Sequence, residues 1–116
     1  MLTTQGFDHV GLAVSDVEAS ARFYTDILGF RRMPPAAGHP VLVQAGTAKL
    51  ALVPLGHGEM LANARGEHIA VVASVADRLG WLAELERRGV TVQDRGERAY
   101  LADPDGHVLE VCFRHP

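Results

Sequence analysis

The pattern of apolar and polar positions occurs twice along the chain. Residues 8–15 (DHVGLAVS) and residues 67–74 (EHIAVVAS) both run from an acid and a histidine through small and branched apolar residues to a serine. His9 and His68 are 59 residues apart (68 − 9). Short apolar runs of this kind predict a β-strand at each place. The repeat indicates two equivalent halves.

An amphipathic helix is predicted after each of these strands. Ser15 with Glu18, and Ser74 with Asp77, have the spacing of a capping box, which opens a helix. Apolar residues then recur at helical spacing, and each helix is predicted to end at the glycine that follows them. These residues are Val17, Ala21, Tyr24, Leu28 and Gly29 in the first half, and Val75, Leu79, Leu82, Leu85 and Gly89 in the second.

Three short strands are predicted after each helix, with Gly- and Pro-rich turns between them. They cover residues 30–33, 41–45 and 49–53 in the first half, and 90–93, 99–102 and 108–113 in the second. Each half is therefore β-α-β-β-β, and the fold class is α+β. We expect a single domain over 1–116. Module 1 covers about 6–54, a linker about 55–66, and module 2 about 67–114.

Glu110 interrupts an otherwise apolar last strand. Because side chains alternate along a strand, Glu110 and its counterpart Ala51 are predicted to point away from the helices. The same alternation turns His9 and His68 to the helix-free face. Their predicted neighbours on that face are small, which leaves room for a ligand: Gly11, Ala13, Ala51, Ala70 and Ala102.

Two imidazoles and one carboxylate form a set of ligands for a divalent transition metal such as Fe, Mn, Zn, Ni or Co, with positions left open for substrate. A metal would also offset the desolvation of the Glu110 carboxylate. Two simpler explanations remain open. Glu110 can pair with Arg98 or Arg114, and each histidine can be an ordinary hydrogen-bonded residue of its strand.

Composition narrows the class of protein. The chain has 116 residues, 47% of them hydrophobic, and a net charge of −3 without a basic run, so nucleic acid is not an expected partner. Neither a signal peptide nor an apolar stretch of membrane-spanning length is apparent, so we expect no membrane partner and a cytoplasmic location. Cys112 is the only cysteine, which excludes an internal disulfide.

Three stretches resemble the vicinal oxygen chelate superfamily: DHVGLAVSDVEASARFYTDILGF, EHIAVV and YLADPDGHVLEV. This superfamily includes glyoxalase I, extradiol dioxygenases, bleomycin-binding proteins, fosfomycin-resistance thiol transferases and methylmalonyl-CoA epimerase. The resemblance implies paired βαβββ modules that form a cup around one metal. Position by position, it implies that His9, His68 and Glu110 are the metal ligands.

The resemblance also carries expectations about reaction class. Glyoxalase I has a fourth, acidic ligand where this chain has Ala51, so we expect a three-ligand site of the dioxygenase, transferase or lyase type. Tyr100 lies ten residues before Glu110, as a tyrosine does in the three-ligand branches, and we expect these two residues to be catalytic. Gly11 replaces a threonine of the fosfomycin enzymes. The predicted substrate contacts are Tyr100, Arg98, Gly11, Ala51 and Cys112.

The expected function is a metal-dependent enzyme acting on a small oxygenated metabolite or antibiotic. The alternative is a metal-free protein that sequesters a small molecule, as bleomycin-resistance relatives do. In small members of the superfamily, module 1 of one chain commonly pairs with module 2 of its partner. We therefore expect a homodimer in which His9 of one chain joins His68 and Glu110 of the other.

Overall fold

The computed structural model describes residue 3, residues 7–55 and residues 68–115. The predicted linker at about 55–66 lies outside the described residues except for Leu55. The chain divides into two compact units, Met1–Leu61 and Ala62–Pro116. Each unit is described separately below.

Each unit has the order βαβββ, so the predicted α+β fold of two such modules is confirmed. Unit 1 contains β1 (Val10–Val14), α1 (Val17–Arg22) with a π-helical turn (Phe23–Ile27), β2 (Arg31–Arg32), β3 (Val41–Ala45) and β4 (Ala48–Pro54). Unit 2 contains β5 (His68–Ser74), a 3₁₀ turn (Val75–Asp77), α2 (Arg78–Arg87), β6 (Gln93–Asp94), β7 (Arg98–Ala102) and β8 (Val108–Arg114). Within the described residues, neither helix is long and apolar enough to cross a membrane.

The two sheets have the same topology, and their parallel strand pairs have the same register. Their strand orders are β1-β4-β3-β2 and β5-β8-β7-β6, with the first pair in each sheet parallel and the other pairs antiparallel. Gly11 lies opposite Ala51 in the first sheet, and Ala70 lies opposite Glu110 in the second. Both pairs are related by the 59-residue offset, so the sequence repeat is also a repeat of strand pairing.

The predicted inward residues of the last strands are buried. Leu50 and Leu52 of β4 are 4% and 0% exposed, and Leu109 and Val111 of β8 are both 0% exposed. In unit 1, α1 contacts β3 and β4. Burial of these alternate positions supplies the hydrophobic stabilisation that holds each module together.

The first helix ends just before Gly29 as predicted, but its cap and the geometry of its last turns differ from the prediction. Its cap is Asp16 rather than Ser15, because the Asp16 carboxylate accepts a hydrogen bond from the Ala19 amide at 3.0 Å. Glu18 is therefore not part of a capping box; both its oxygens accept hydrogen bonds from Arg32 of β2 instead, at 2.7 and 2.8 Å. Near the end, the Thr25 hydroxyl donates to the Ala21 carbonyl at 2.9 Å, which competes with the helical ladder where the helix widens into the π turn.

The second helix differs from its predicted apolar face at one residue, Leu79. Ser74 caps the segment, accepting a hydrogen bond from the Ala76 amide at 3.3 Å, but the chain then makes a 3₁₀ turn before α2 begins. A 3₁₀ helix has about 3.0 residues per turn, whereas an α-helix has about 3.6. The α-helical spacing counted from Val75 therefore does not continue into α2. Leu79 is consequently 74% exposed, whereas Leu85 is 2% exposed.

An ion pair ties each helix to the short outer strand of its own sheet. In unit 1 the acid is on the helix and the base on β2, as Glu18 and Arg32. In unit 2 the base is on the helix: Arg78 donates to both carboxylate oxygens of Asp94 on β6 at 2.6 Å, and to the Gly96 carbonyl at 2.7 Å. Both units thus have an ion pair between the helix and the outer strand, but the acid and the base are exchanged between the two elements.

A pair of leucine substitutions tests this assignment of core and surface. Leu109→Ala should lower the free energy of unfolding by about 2–5 kcal/mol, because it leaves a cavity in a closely packed sheet. Leu79→Ala removes the same atoms from an exposed helix position and should change it by no more than about 0.5 kcal/mol. Urea denaturation measures both. Equal losses in the two variants would contradict the exposed position of Leu79.

Candidate metal centre

Glu110 lies in the middle of the second sheet, between β5 and β7. It is paired with Ala70 on one side and with Tyr100 on the other, and Arg98 is paired with Cys112. Residues paired across a sheet project from the same face. That face, here called the Glu110 face, carries the side chains of His68, Ala70, Arg98, Tyr100, Glu110 and Cys112.

The Glu110 carboxylate is only 2% exposed, and each of its oxygens has its own surroundings. Oε1 accepts hydrogen bonds from Arg98 Nη1 at 2.7 Å and from the Tyr100 hydroxyl at 2.9 Å. Oε2 lies 3.3 Å from His68 Nε2. The Arg98 pairing considered from the sequence is therefore present, but it uses only one of the two oxygens.

These contacts shift the pKa values of Glu110 and Tyr100. The hydrogen bond from Arg98, followed by that from Tyr100, lowers the pKa of Glu110, so the carboxylate is ionised at neutral pH. The hydrogen bond to Glu110 raises the pKa of Tyr100, because the phenol proton is held between the two groups. Tyr100 is thus a neutral donor whose proton is directed at Glu110.

The spacing of His68 and Glu110 fits two adjacent ligands of one metal. With metal–nitrogen and metal–oxygen bonds of about 2.1 Å, neighbouring ligand atoms lie about 3.0 Å apart at a right angle and about 3.4 Å apart at a tetrahedral angle. The observed separation of 3.3 Å lies between these values. Among the residues described, no three His, Cys, Asp or Glu side chains of the chain form a metal-binding group. Unit 2 therefore brings together two of the three predicted ligand residues, His68 and Glu110.

In unit 1, His9 precedes β1 and is oriented by its neighbour. Its Nδ1 lies 2.8 Å from the Asp8 carboxylate, which leaves Nε2 for a metal. The hydrogen bond with His9, together with the charge of Lys49, lowers the pKa of Asp8. A carboxylate behind an imidazole is the usual support of a metal-binding histidine. Asp8 was not predicted, although an acid precedes the histidine in both halves of the repeat.

The other predicted substrate residues differ in accessibility. Gly11 is exposed, and a side-chain carbon built there would find Val53 Cγ2 at 3.8 Å as its nearest neighbour. Its partner Ala51 is 1% exposed and offers no ligand atom. Cys112 is 6% exposed, whereas the side chain of Arg98 is 57% exposed. Substrate contact by these residues remains a prediction.

Comparison with known proteins identifies the family. A sequence model of the glyoxalase/bleomycin resistance protein/dioxygenase superfamily matches residues 6–111. The chain belongs to this superfamily. The predicted resemblance is thereby confirmed over most of the chain's length.

Several solved structures share the fold at low sequence identity. The fosfomycin resistance protein FosX from Mesorhizobium loti has a TM-score of 0.77 and 22% identity, over 97% of this chain and 94% of its own. Lactoylglutathione lyase from Agrobacterium tumefaciens has a TM-score of 0.72 and 20% identity, over 95% and 94%. A variant of FosX from Listeria monocytogenes, complexed with Mn(II) and dihydroxypropylphosphonic acid, has a TM-score of 0.78 and 17% identity, over 95% and 90%.

The ionisation of Glu110 gives a prediction for the metal-free protein. Arg98→Met should raise the pKa of Glu110, and Tyr100→Phe should raise it less, because Arg98 makes the larger contribution. Carboxyl ¹³C NMR across an acid titration measures both. A pKa lowered by folding stabilises the native state above the ordinary glutamate value, and this stabilisation is lost as the pH falls through the native value. The Arg98→Met protein should therefore lose less stability on acidification, and an unchanged Glu110 pKa would contradict the ion pair.

Proposed function

We propose that this protein is a divalent-metal-dependent enzyme whose metal is held by His9, His68 and Glu110. The observation that carries the proposal is the Glu110 carboxylate, which is buried and ionised, with one oxygen 3.3 Å from His68 Nε2. A buried carboxylate beside an imidazole is a pair of ligands suited to a divalent transition metal. His9, with Asp8 behind its Nδ1, is the proposed third ligand.

The metal would supply Lewis-acid stabilisation of an oxygen-bearing substrate. The chain's own residues would bind and orient that substrate. Gly11 leaves open space on the first sheet, while Arg98 presents a partly exposed guanidinium on the second. Tyr100 is proposed to act with Glu110, since its hydroxyl proton is already directed at that carboxylate.

The proposed reaction class is that of a dioxygenase, transferase or lyase acting on a small oxygenated metabolite or antibiotic. One comparison supports metal dependence: the Listeria fosfomycin resistance protein is complexed with Mn(II). The methyl side chain of Ala51 cannot move a substrate proton, which argues against glyoxalase I isomerisation. The retained ligand set disfavours metal-free sequestration.

We further propose that the site is shared between two chains of a homodimer. Unit 2 has His68 and Glu110 on one sheet face, whereas unit 1 has His9 just before β1 and Ala51 at the position equivalent to Glu110. One module of each kind therefore completes one ligand set. A symmetric dimer would hold two such sets.

The proposed metal site predicts that metal stabilises the wild-type protein but not a variant that lacks one ligand. At a metal concentration of about 100 times Kd, the wild-type protein should gain about 2.7 kcal/mol by mass action. His68→Ala should bind no stoichiometric Mn²⁺ and should gain none of this stability. His39→Ala removes an exposed histidine outside the proposed site and should behave like the wild type. Metal analysis after dialysis, with thermal unfolding, provides both measurements; wild-type metal content in His68→Ala would refute the site.

Subunit mixing tests whether the site is shared. A His9→Ala chain and a Glu110→Ala chain should each bind no metal, but mixed dimers should contain one intact site. After random exchange of equal amounts, about a quarter of the wild-type binding should return, because half of the dimers are mixed and each has one good site. Mixing His68→Ala with Glu110→Ala should restore nothing, since every site keeps one defect. If the first mixture also stays without metal, the ligands do not come from two chains.

A further inference from the structure

We propose that Arg98 and Tyr100 are positioning residues that restrict Glu110 to a single metal-binding oxygen, Oε2. This inference rests on the proposed metal site and concerns how that site is built. It assigns Arg98 a role that acts through Glu110, in addition to the substrate contact proposed for its exposed part.

The argument starts from the hydrogen-bonding capacity of a carboxylate. Each oxygen has two lone-pair positions for acceptance. Oε1 already receives two donors, Arg98 Nη1 at 2.7 Å and the Tyr100 hydroxyl at 2.9 Å. Both are charge-assisted hydrogen bonds, because the acceptor is ionised. Oε1 is therefore saturated by the protein.

The other oxygen has different surroundings. Oε2 lies 3.3 Å from His68 Nε2. This distance fits two ligand atoms bound to the same metal ion. The carboxylate has little freedom to exchange its oxygens, since Glu110 is 2% exposed and is paired on β7 directly with Tyr100. Arg98 lies two residues before Tyr100 on the same strand and face. The sheet register thus places both donors on the side of the carboxylate away from His68.

This restriction sets how many positions are open on the metal. Two imidazoles and one carboxylate oxygen occupy about three of the six positions of an octahedral ion, leaving about three. A carboxylate that chelated through both oxygens would leave about two. The hydrogen bonds to Oε1 would therefore reserve one additional position for substrate or co-reactant.

Water-proton relaxation of the Mn²⁺-loaded protein tests this, because bound Mn²⁺ enhances relaxation in proportion to the water molecules it holds. The Arg98→Met/Tyr100→Phe double variant frees Oε1 to chelate, so its inner-sphere enhancement per bound Mn²⁺ should fall by about a third, from three waters to two. Each single variant keeps one donor and should show a smaller fall. Arg98→Lys keeps a charged donor and should retain the wild-type value.

Arg114→Met serves as the matched control, since it removes an exposed positive charge from β8 without touching Glu110. It should leave the enhancement unchanged. Wild-type enhancement in the double variant would overturn the role of Arg98 and Tyr100 while leaving the metal site standing. Loss of Mn²⁺ binding by the double variant would also overturn it, because a freed carboxylate should still bind. Failure of the wild-type protein to bind Mn²⁺ would overturn the metal site itself, and this inference with it.

Discussion

The buried carboxylate of Glu110 is the constraint on which the organisation of the second module depends. A charged group in the middle of a strand is unfavourable unless donors replace the water it loses. Here β7 supplies them, because its antiparallel register brings Tyr100 opposite Glu110 and Arg98 onto the same face. The parallel neighbour β5 brings His68 to the remaining oxygen. Strand order and register are therefore also what determine the chemistry of the site.

The two modules have the same βαβββ topology but different side chains at equivalent positions. The registers of their parallel strand pairs coincide, so that Gly11 with Ala51 is repeated as Ala70 with Glu110. The helix-to-outer-strand ion pair is kept, but with acid and base exchanged. An attraction between the helix and the outer strand stabilises each module, whether the acid or the base lies on the helix. The position of Glu110, by contrast, has only a methyl group in module 1.

Much of this was predictable from the sequence, since alternation along short strands is a local property. It predicted which residues share a sheet face and, through the repeat, related Glu110 to Ala51. The helix ends were less predictable because they depend on competition between neighbours. Glu18 forms an ion pair with Arg32, and the 3₁₀ turn shifts the apolar face that would have included Leu79. Which oxygen of Glu110 each donor would take was also beyond the sequence, because it depends on side-chain direction across β7 and β8.

The difference between Ala51 of module 1 and Glu110 of module 2 would have a chemical consequence for the proposed site. A second acid at position 51 would give module 1 its own histidine–carboxylate pair, and each site would then carry two carboxylates. With Ala51 the set has one carboxylate, and that carboxylate is also paired with Arg98. A divalent ion held this way would keep more of its positive charge for the substrate than one held by two unpaired carboxylates. In the proposed site, the single carboxylate and the arginine beside it would therefore both favour binding of an electron-rich, oxygen-bearing substrate.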